Sequence, residues 1–370
     1  MALFTDNQLE GRPSRRRASR VGWTLLVAAI LGTLGFALVP APYVIEQPGP
    51  VFNTLGTVLK GTKEVSLIDI PGQKTYPTKG ALDMLTVNVV GSRERAPGWL
   101  EVAQAWLDPS KAVLPIDDVY PRGTTVEQSN EQAAVDMLNS QKDAIAAALT
   151  RLGYPLPASL TVGGFSPKSP SAGILEYGDT IVSVNGETTD SVVGLRAIIG
   201  KTGAGVPVSI AITRHGTPQT VQVTPVLSED KQPVPLIGVF PSITYAFPFE
   251  VRIELEHVGG PSAGQMFALG IIDKLTPGAL NGGAKVAGTG TIDADGNVGP
   301  IGGIRQKLYG AVGAGARWFL APYSNCDAVT GHIPSGLRVL AVRTLDDSLA
   351  ALKAISAGAD TSGLLSCPVR

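Results

Sequence analysis

Gly259-Gly260-Pro261-Ser262-Ala263-Gly264, followed downstream by Gly302-Gly303-Ile304-Arg305-Gln306-Lys307, decides how this chain is read. The first segment satisfies GxSxG, which is weakly specific in a chain with 44 glycines. Its meaning comes from its surroundings. Pro261 suits the first turn of a helix, where a missing N–H costs nothing, and Met266, Leu269 and Ile272 then predict a helix over 262–274. A serine at that end has unpaired backbone N–H groups beside it that can hold an oxyanion. In 303–315, Ile304, Leu308, Ala311 and Gly315 trace one helical face, with Lys307 at the edge of the apolar stripe. Partial desolvation there lowers an ammonium's pKa, as a lysine must have if it is to take a proton from serine. A helix-capping serine and a snorkelling surface lysine would leave the same pattern.

With Val286-Ala287-Gly288-Thr289-Gly290-Thr291-Ile292 and Gly296-Asn297-Val298-Gly299-Pro300-Ile301 between the two segments, the stretch resembles the proteolytic domain of Lon-type serine peptidases. Three motifs in order over about 60 residues are far more specific than GxSxG. The resemblance implies that Ser262 is the nucleophile, Lys307 its base and Thr289 the residue that orients the pair, with Ala263 and Gly260 as further supporting residues. ATP-dependent members usually carry Asp where this chain has Gly259, so no role carries over to that position. Lon-like domains commonly form rings, but no subunit interface is read from these residues.

The chain has 370 residues, 44% of them hydrophobic, and a formal charge of −1, which argues against a nucleic-acid footprint. Arg12, Arg15, Arg16, Arg17 and Arg20 precede an uncharged run from Val21 to Pro42, long enough for a membrane helix of about 20 residues. The expectation is a cytoplasmic tail over 1–20, a retained transmembrane signal anchor over 21–42 and everything after Tyr43 outside the cytoplasm, in a single-pass membrane protein. A cleavable signal peptide is disfavoured because the best small-residue site, ending at Ala41, would leave Pro42 after the cut. An oxidising compartment would permit a disulfide between Cys326 and Cys367.

Short apolar runs between Gly and Pro, such as Val87-Asn88-Val89-Val90, predict a β-rich linker domain over 43–128. Ser129-Asn130-Glu131-Gln132 has capping-box form and opens a connecting helix over 129–153. Over 154–230, Ser169-Pro170-Ser171-Ala172-Gly173-Ile174-Leu175 and Gly178-Asp179-Thr180-Ile181-Val182-Ser183-Val184-Asn185-Gly186 resemble a PDZ domain, which implies capture of an extended peptide at a sheet edge. Leu152-Gly153-Tyr154 is the candidate carboxylate-binding loop. A Lon-like α+β proteolytic domain over 235–358 and a tail over 359–370 complete an α+β multidomain chain.

Other motifs are set aside. Gly200-Lys201-Thr202 lacks a glycine at the spacing of a phosphate loop, so no ATP site follows. Asp293-Ala294-Asp295-Gly296 has its glycine at the wrong place for an EF-hand, and a hairpin turn at Asp295-Gly296 is expected instead. Neither a cofactor nor a metal is expected. Ser262 with His332 and an acid such as Asp293 or Asp327 has the chain order of an α/β-hydrolase, but too little chain follows the serine for that fold. His257, close before Ser262, is a candidate strand residue beside the site. The expected function is a membrane-anchored, ATP-independent serine endopeptidase with peptide recognition by the PDZ-like module. The competing reading is an inactive, membrane-tethered scaffold.

Overall fold

The computed structural model describes residues 15–37, 39–121, 123, 125–189, 192–228, 233–256 and 258–367. Its main elements, in chain order, begin with α1 (Arg15–Ala37), β1 (Tyr43–Asn53), β2 (Ala81–Val90), β3 (Ala112–Pro115) and α2 (Val126–Arg151). Then come β4 (Ala158–Phe165), β5 (Thr180–Val184), α3 (Val192–Thr202), β6 (Val208–Arg214), β7 (Thr217–Val223) and β8 (Val239–Tyr245). The chain closes with α4 (Gly264–Leu275), β9 (Lys285–Gly288), β10 (Thr291–Ile292), β11 (Val298–Gly299), α5 (Ile304–Gly313), β12 (Trp318–Pro322), β13 (Arg338–Val342) and α6 (Leu345–Ser356).

One six-stranded sheet runs β13-β12-β9-β2-β1-β3. Its β13, β12, β9 and β2 are parallel, whereas β1 pairs antiparallel with both β2 and β3. The expected linker domain over 43–128 is therefore corrected: Leu82 of β2 is the register partner of Val286 in β9, so β1–β3 belong to the same sheet and unit as β9, β12 and β13. The expected connecting helix is also part of that unit. Met137, Ala144 and Leu149 of α2 share one buried cluster with Leu82, Met266, Phe267, Leu269, Val286 and Leu320. Local alternation identifies strands but carries no information about which distant strand each will pair with.

The second sheet, β7-β6-β5-β4-β8, is antiparallel along its length and has its own core of Leu160, Val162, Ile181, Leu195, Val208, Ile210 and Val223. Because β8 pairs with β4 from Val239↔Phe165 to Tyr245↔Ala158, this PDZ-like unit extends past the expected end at 230. The expected start of the proteolytic domain at 235 falls inside it. In sequence it is an insertion between α2 and α4 of the larger unit. The Asn185-Gly186 turn has both residues at positive φ, 52° and 81°, as a tight hairpin requires.

Three local expectations shift. The capping box on α2 is Thr125 with Gln128, with Gln128 N donating to Thr125 Oγ1 at 3.1 Å and Thr125 N to Gln128 Oε1 at 3.0 Å. Both T-x-x-Q and S-x-x-Q fit the pattern, and the helix begins at the earlier one. Leu152-Gly153-Tyr154 ends α2 instead of cradling a carboxylate: Gly153 has φ 81°, Tyr154 N donates to Leu149 O at 3.0 Å, and the Tyr154 ring meets Phe249 edge-on. At the N-terminus α1 begins upstream of the expected anchor and takes in Arg15, Arg16, Arg17 and Arg20. Among the described residues no helix is long and apolar enough to cross a membrane. Residues 1–14 of the expected tail and Leu38 of the expected span lie outside the described residues.

Candidate active site

The loop before α4 is held by α2. Gly260, at φ 85°, donates its N–H to Ala133 O at 2.7 Å, and Ser140 Oγ donates to Pro261 O at 2.8 Å. A side chain at Gly259 would put its Cβ 2.7 Å from that of Ala133, so this position is closed to a side chain by the neighbouring helix. α4 begins at Gly264, two residues later than expected, and Ser262 lies in the turn ahead of it. Ala263 is buried, and its carbonyl accepts from Met266 N and Phe267 N, starting the helix. Among the described residues no acceptor is seen for the N–H groups of Ser262 or Ala263, which leaves them free to meet an anionic oxygen.

On the other side, α5 starts at Gly303, whose φ of 65° suits glycine and where a Cβ would lie 2.5 Å from Val87 Cγ2. Lys307, one turn in, is 2% exposed, so it is buried outright and not at the edge of an apolar stripe. Its Nζ donates to Ser262 Oγ at 2.8 Å and to Thr289 Oγ1 at 3.0 Å. Thr289, fully buried, donates a hydrogen bond from its own hydroxyl to Ser262 O at 2.9 Å, and Gly290 N donates to the same carbonyl at 2.9 Å. Thr289 thus fixes both the lysine and the serine backbone.

Burial pushes the Lys307 ammonium down to about 8, partly opposed by the carboxylate of Glu46. Glu46 is itself pushed up by burial, with Lys307 opposing. Both line a groove of about 490 Å³ with Ser262, Gly260, Pro261 and residues 84–89 of β2. β9 pairs with β2 only over Ala81–Met84, so β2 from Leu85 onward offers an unpaired edge to the groove. An extended peptide can hydrogen-bond along that edge with a carbonyl near Ser262.

Of the residues expected from sequence, Ser262, Lys307, Thr289, Gly260 and Ala263 converge on this groove. His257 lies outside the described residues. His332 contacts Thr330 O through Nδ1 in an exposed turn. Asp293 closes the β10–β11 hairpin, accepting from Asn297 N and Nδ2, and Gly296 has φ 84°. Thr202 bonds Ile198 O and Asn185 at the end of α3. Cys326 and Cys367 are joined by a disulfide, Cα–Cα 5.0 Å. Two residues went unnoticed in the sequence: Ser140, a mid-helix serine with no motif, and Glu46, inside a segment with no readable pattern.

A second cleft, about 350 Å³, lies along the outer edge of β8, lined by Pro241, Tyr245, Val192 and, from α2, Asn139, Lys142 and Asp143. β8 pairs only with β4, so this edge also can accept a strand.

Residues 257–354 match the family described as the Lon protease (S16) C-terminal proteolytic domain. Similar curated proteins include Lon protease 2 of Bacillus subtilis (strain 168), 36% identical over 92 residues covering 25% of this chain and 16% of that protein. Lon protease of Lachnoclostridium phytofermentans is 37% identical over 93 residues, 24% of this chain and 11% of that one. The chain therefore spans only a small part of the length of the curated relatives it matches. Among solved structures, the PDZ domain of an SdrC-like protein from Listeria innocua is 24% identical, with 22% of this chain and 92% of that one covered and a TM-score of 0.21. The corresponding domain from Listeria monocytogenes is 22% identical, with 22% and 85% covered and a TM-score of 0.21.

Proposed function

We propose that this chain, a Lon-type serine peptidase by its C-terminal domain, is an ATP-independent endopeptidase that cleaves extended segments of extracytoplasmic proteins with a Ser262–Lys307 dyad. The observation that carries the mechanism is the 2.8 Å approach to Ser262 Oγ of a buried Lys307 whose proton affinity is lowered to about 8. Neutral Lys307 accepts the hydroxyl proton as Ser262 Oγ attacks the peptide carbonyl. The amides of Ser262 and Ala263 receive the oxyanion, and Lys307 returns its proton to the leaving amine. Water, activated by the same lysine, then releases the acyl group. Thr289 keeps the ammonium and the serine in register throughout.

The PDZ-like unit captures peptide segments on the β8 edge and holds them near the groove, in place of ATP-driven feeding. The N-terminal segment tethers the chain: the arginines from Arg12 to Arg20 stay in the cytoplasm, and the uncharged run from Val21 to Pro42 enters the bilayer. Exposed Trp23, Leu25, Leu26 and Leu31 support a lipid-facing segment, and the Cys326–Cys367 disulfide suits an oxidising compartment. Resistance of the membrane-bound chain to alkaline extraction tests the tether, and release into the supernatant would remove it.

The test of the activity is cleavage of an unfolded protein by the full chain, compared with Ser262→Ala and Lys307→Gln. Cleavage by the wild type alone supports the dyad, and equal cleavage by all three sinks it. A wild type that cleaves nothing but binds peptides would instead favour a tethered scaffold.

A further inference from the structure

Among the described residues, Glu46 and Lys307 are the only ionisable side chains lining the active groove. Lys307 is committed to two hydroxyls. Glu46 has no such commitment: its carboxylate forms no hydrogen bond or ion pair with any described residue. It stands on β1, where its register partner is Val89, one of the β2 residues along the open edge of the groove. A half-buried carboxylate that no hydrogen bond or ion pair satisfies, and that only the charge of Lys307 supports, is costly to keep, and it is the kind of group that a ligand of opposite charge satisfies.

We propose that Glu46 receives a lysine or arginine side chain of the extended substrate and so gives the peptidase a preference for basic sequences. The proposal rests on the peptidase reading above and deepens it. The catalytic cycle supplies the reason. Lys307 takes the proton of Ser262 only when neutral, and in that state the groove keeps the charge of Glu46 alone, so a cation is favoured where the dyad is ready to react. The effect runs both ways. The Glu46 carboxylate holds the proton on Lys307, and a substrate cation paired with Glu46 weakens that hold, so a basic substrate helps to generate its own catalyst.

The test is binding, which does not depend on turnover. Full-length Ser262→Ala is titrated with fluorescein-labelled extended peptides in which a single lysine or norleucine is moved along the sequence, read by anisotropy. At one position lysine and arginine should bind about tenfold tighter than norleucine, roughly 1.4 kcal/mol. That preference should shrink as salt is raised from about 50 to about 500 mM. In the Ser262→Ala, Glu46→Gln double variant lysine and norleucine peptides should bind alike, and with Glu46→Lys the preference should pass to glutamate. No position favouring a basic residue, or the same preference with Glu46→Gln, overturns the proposal. Either result leaves the peptidase reading intact, because that reading is tested separately, by cleavage with the wild type, Ser262→Ala and Lys307→Gln.

Discussion

Ser140 Oγ, on helix α2, donates to the carbonyl of Pro261 at 2.8 Å, so the turn that carries the nucleophile hangs from a helix far away in sequence. The same helix accepts from Gly260 N through Ala133 O and lines, through Asn139 and Asp143, the cleft beside β8. Removing the hydroxyl takes the side-chain partner from the part-buried Pro261 carbonyl. Ser140→Ala should cost about 0.5–1.5 kcal/mol of stability and lower kcat several-fold while KM changes little. Denaturant midpoints and steady-state kinetics check this; an unchanged kcat would show that the turn needs no such support.

Lys307 sets the pH dependence. With its proton affinity lowered to about 8, kcat/KM should rise with pH through that region, because the base works when neutral. For stability the sign is the following. The folded pKa lies below the unfolded value of 10.5, so between about 8 and 10.5 the unfolded chain binds more protons and stability rises with pH. Below 8 the buried ammonium carries its full desolvation cost. Lys307→Met should therefore abolish cleavage yet raise stability near pH 7 by ~1–3 kcal/mol. A destabilised Lys307→Met would contradict the buried, costly ammonium.

Thr289 can be separated into volume and hydroxyl. Thr289→Val keeps the shape but removes the bonds to Lys307 and Ser262 O, and should lower kcat about 10–100-fold. Thr289→Ser should retain most activity. Equal rates for the valine and serine variants would assign Thr289 a packing role only.

Gly259→Asp drives its Cβ against Ala133. The expected outcome is a loss of both stability and cleavage, partly recovered when Ala133→Gly makes room. Full activity of Gly259→Asp alone would mean that α2 yields easily there.

The disulfide joins Cys326, after β12, to the C-terminal Cys367, closing a 41-residue separation. Cys367→Ser should lower stability by up to ~4 kcal/mol, with catalysis by the surviving folded fraction unchanged. Thermal unfolding with and without reductant reads this directly.

The candidate site was legible because its motifs are local: Ser262 sits next to a helix start, Lys307 one turn into another helix and Thr289 at a strand exit, each beside glycines. Hydrophobic periodicity likewise placed α4 and α5 to within two residues. Glu46 and Ser140 carried no such mark. A single acid in an extended segment and a single serine on a helix become meaningful only when β1 and α2 are brought to the groove.

By itself, then, the sequence determined which elements form and which three side chains to join as a candidate site, because helix starts, turns and apolar spacing are encoded within a few residues. Only the tertiary structure decided that β1–β3 complete the proteolytic sheet, that the PDZ-like unit is inserted between α2 and α4, and that Lys307 is buried outright. Strand pairing and desolvation depend on partners that lie tens to hundreds of positions away. No local pattern records those partners, and packing alone selects them.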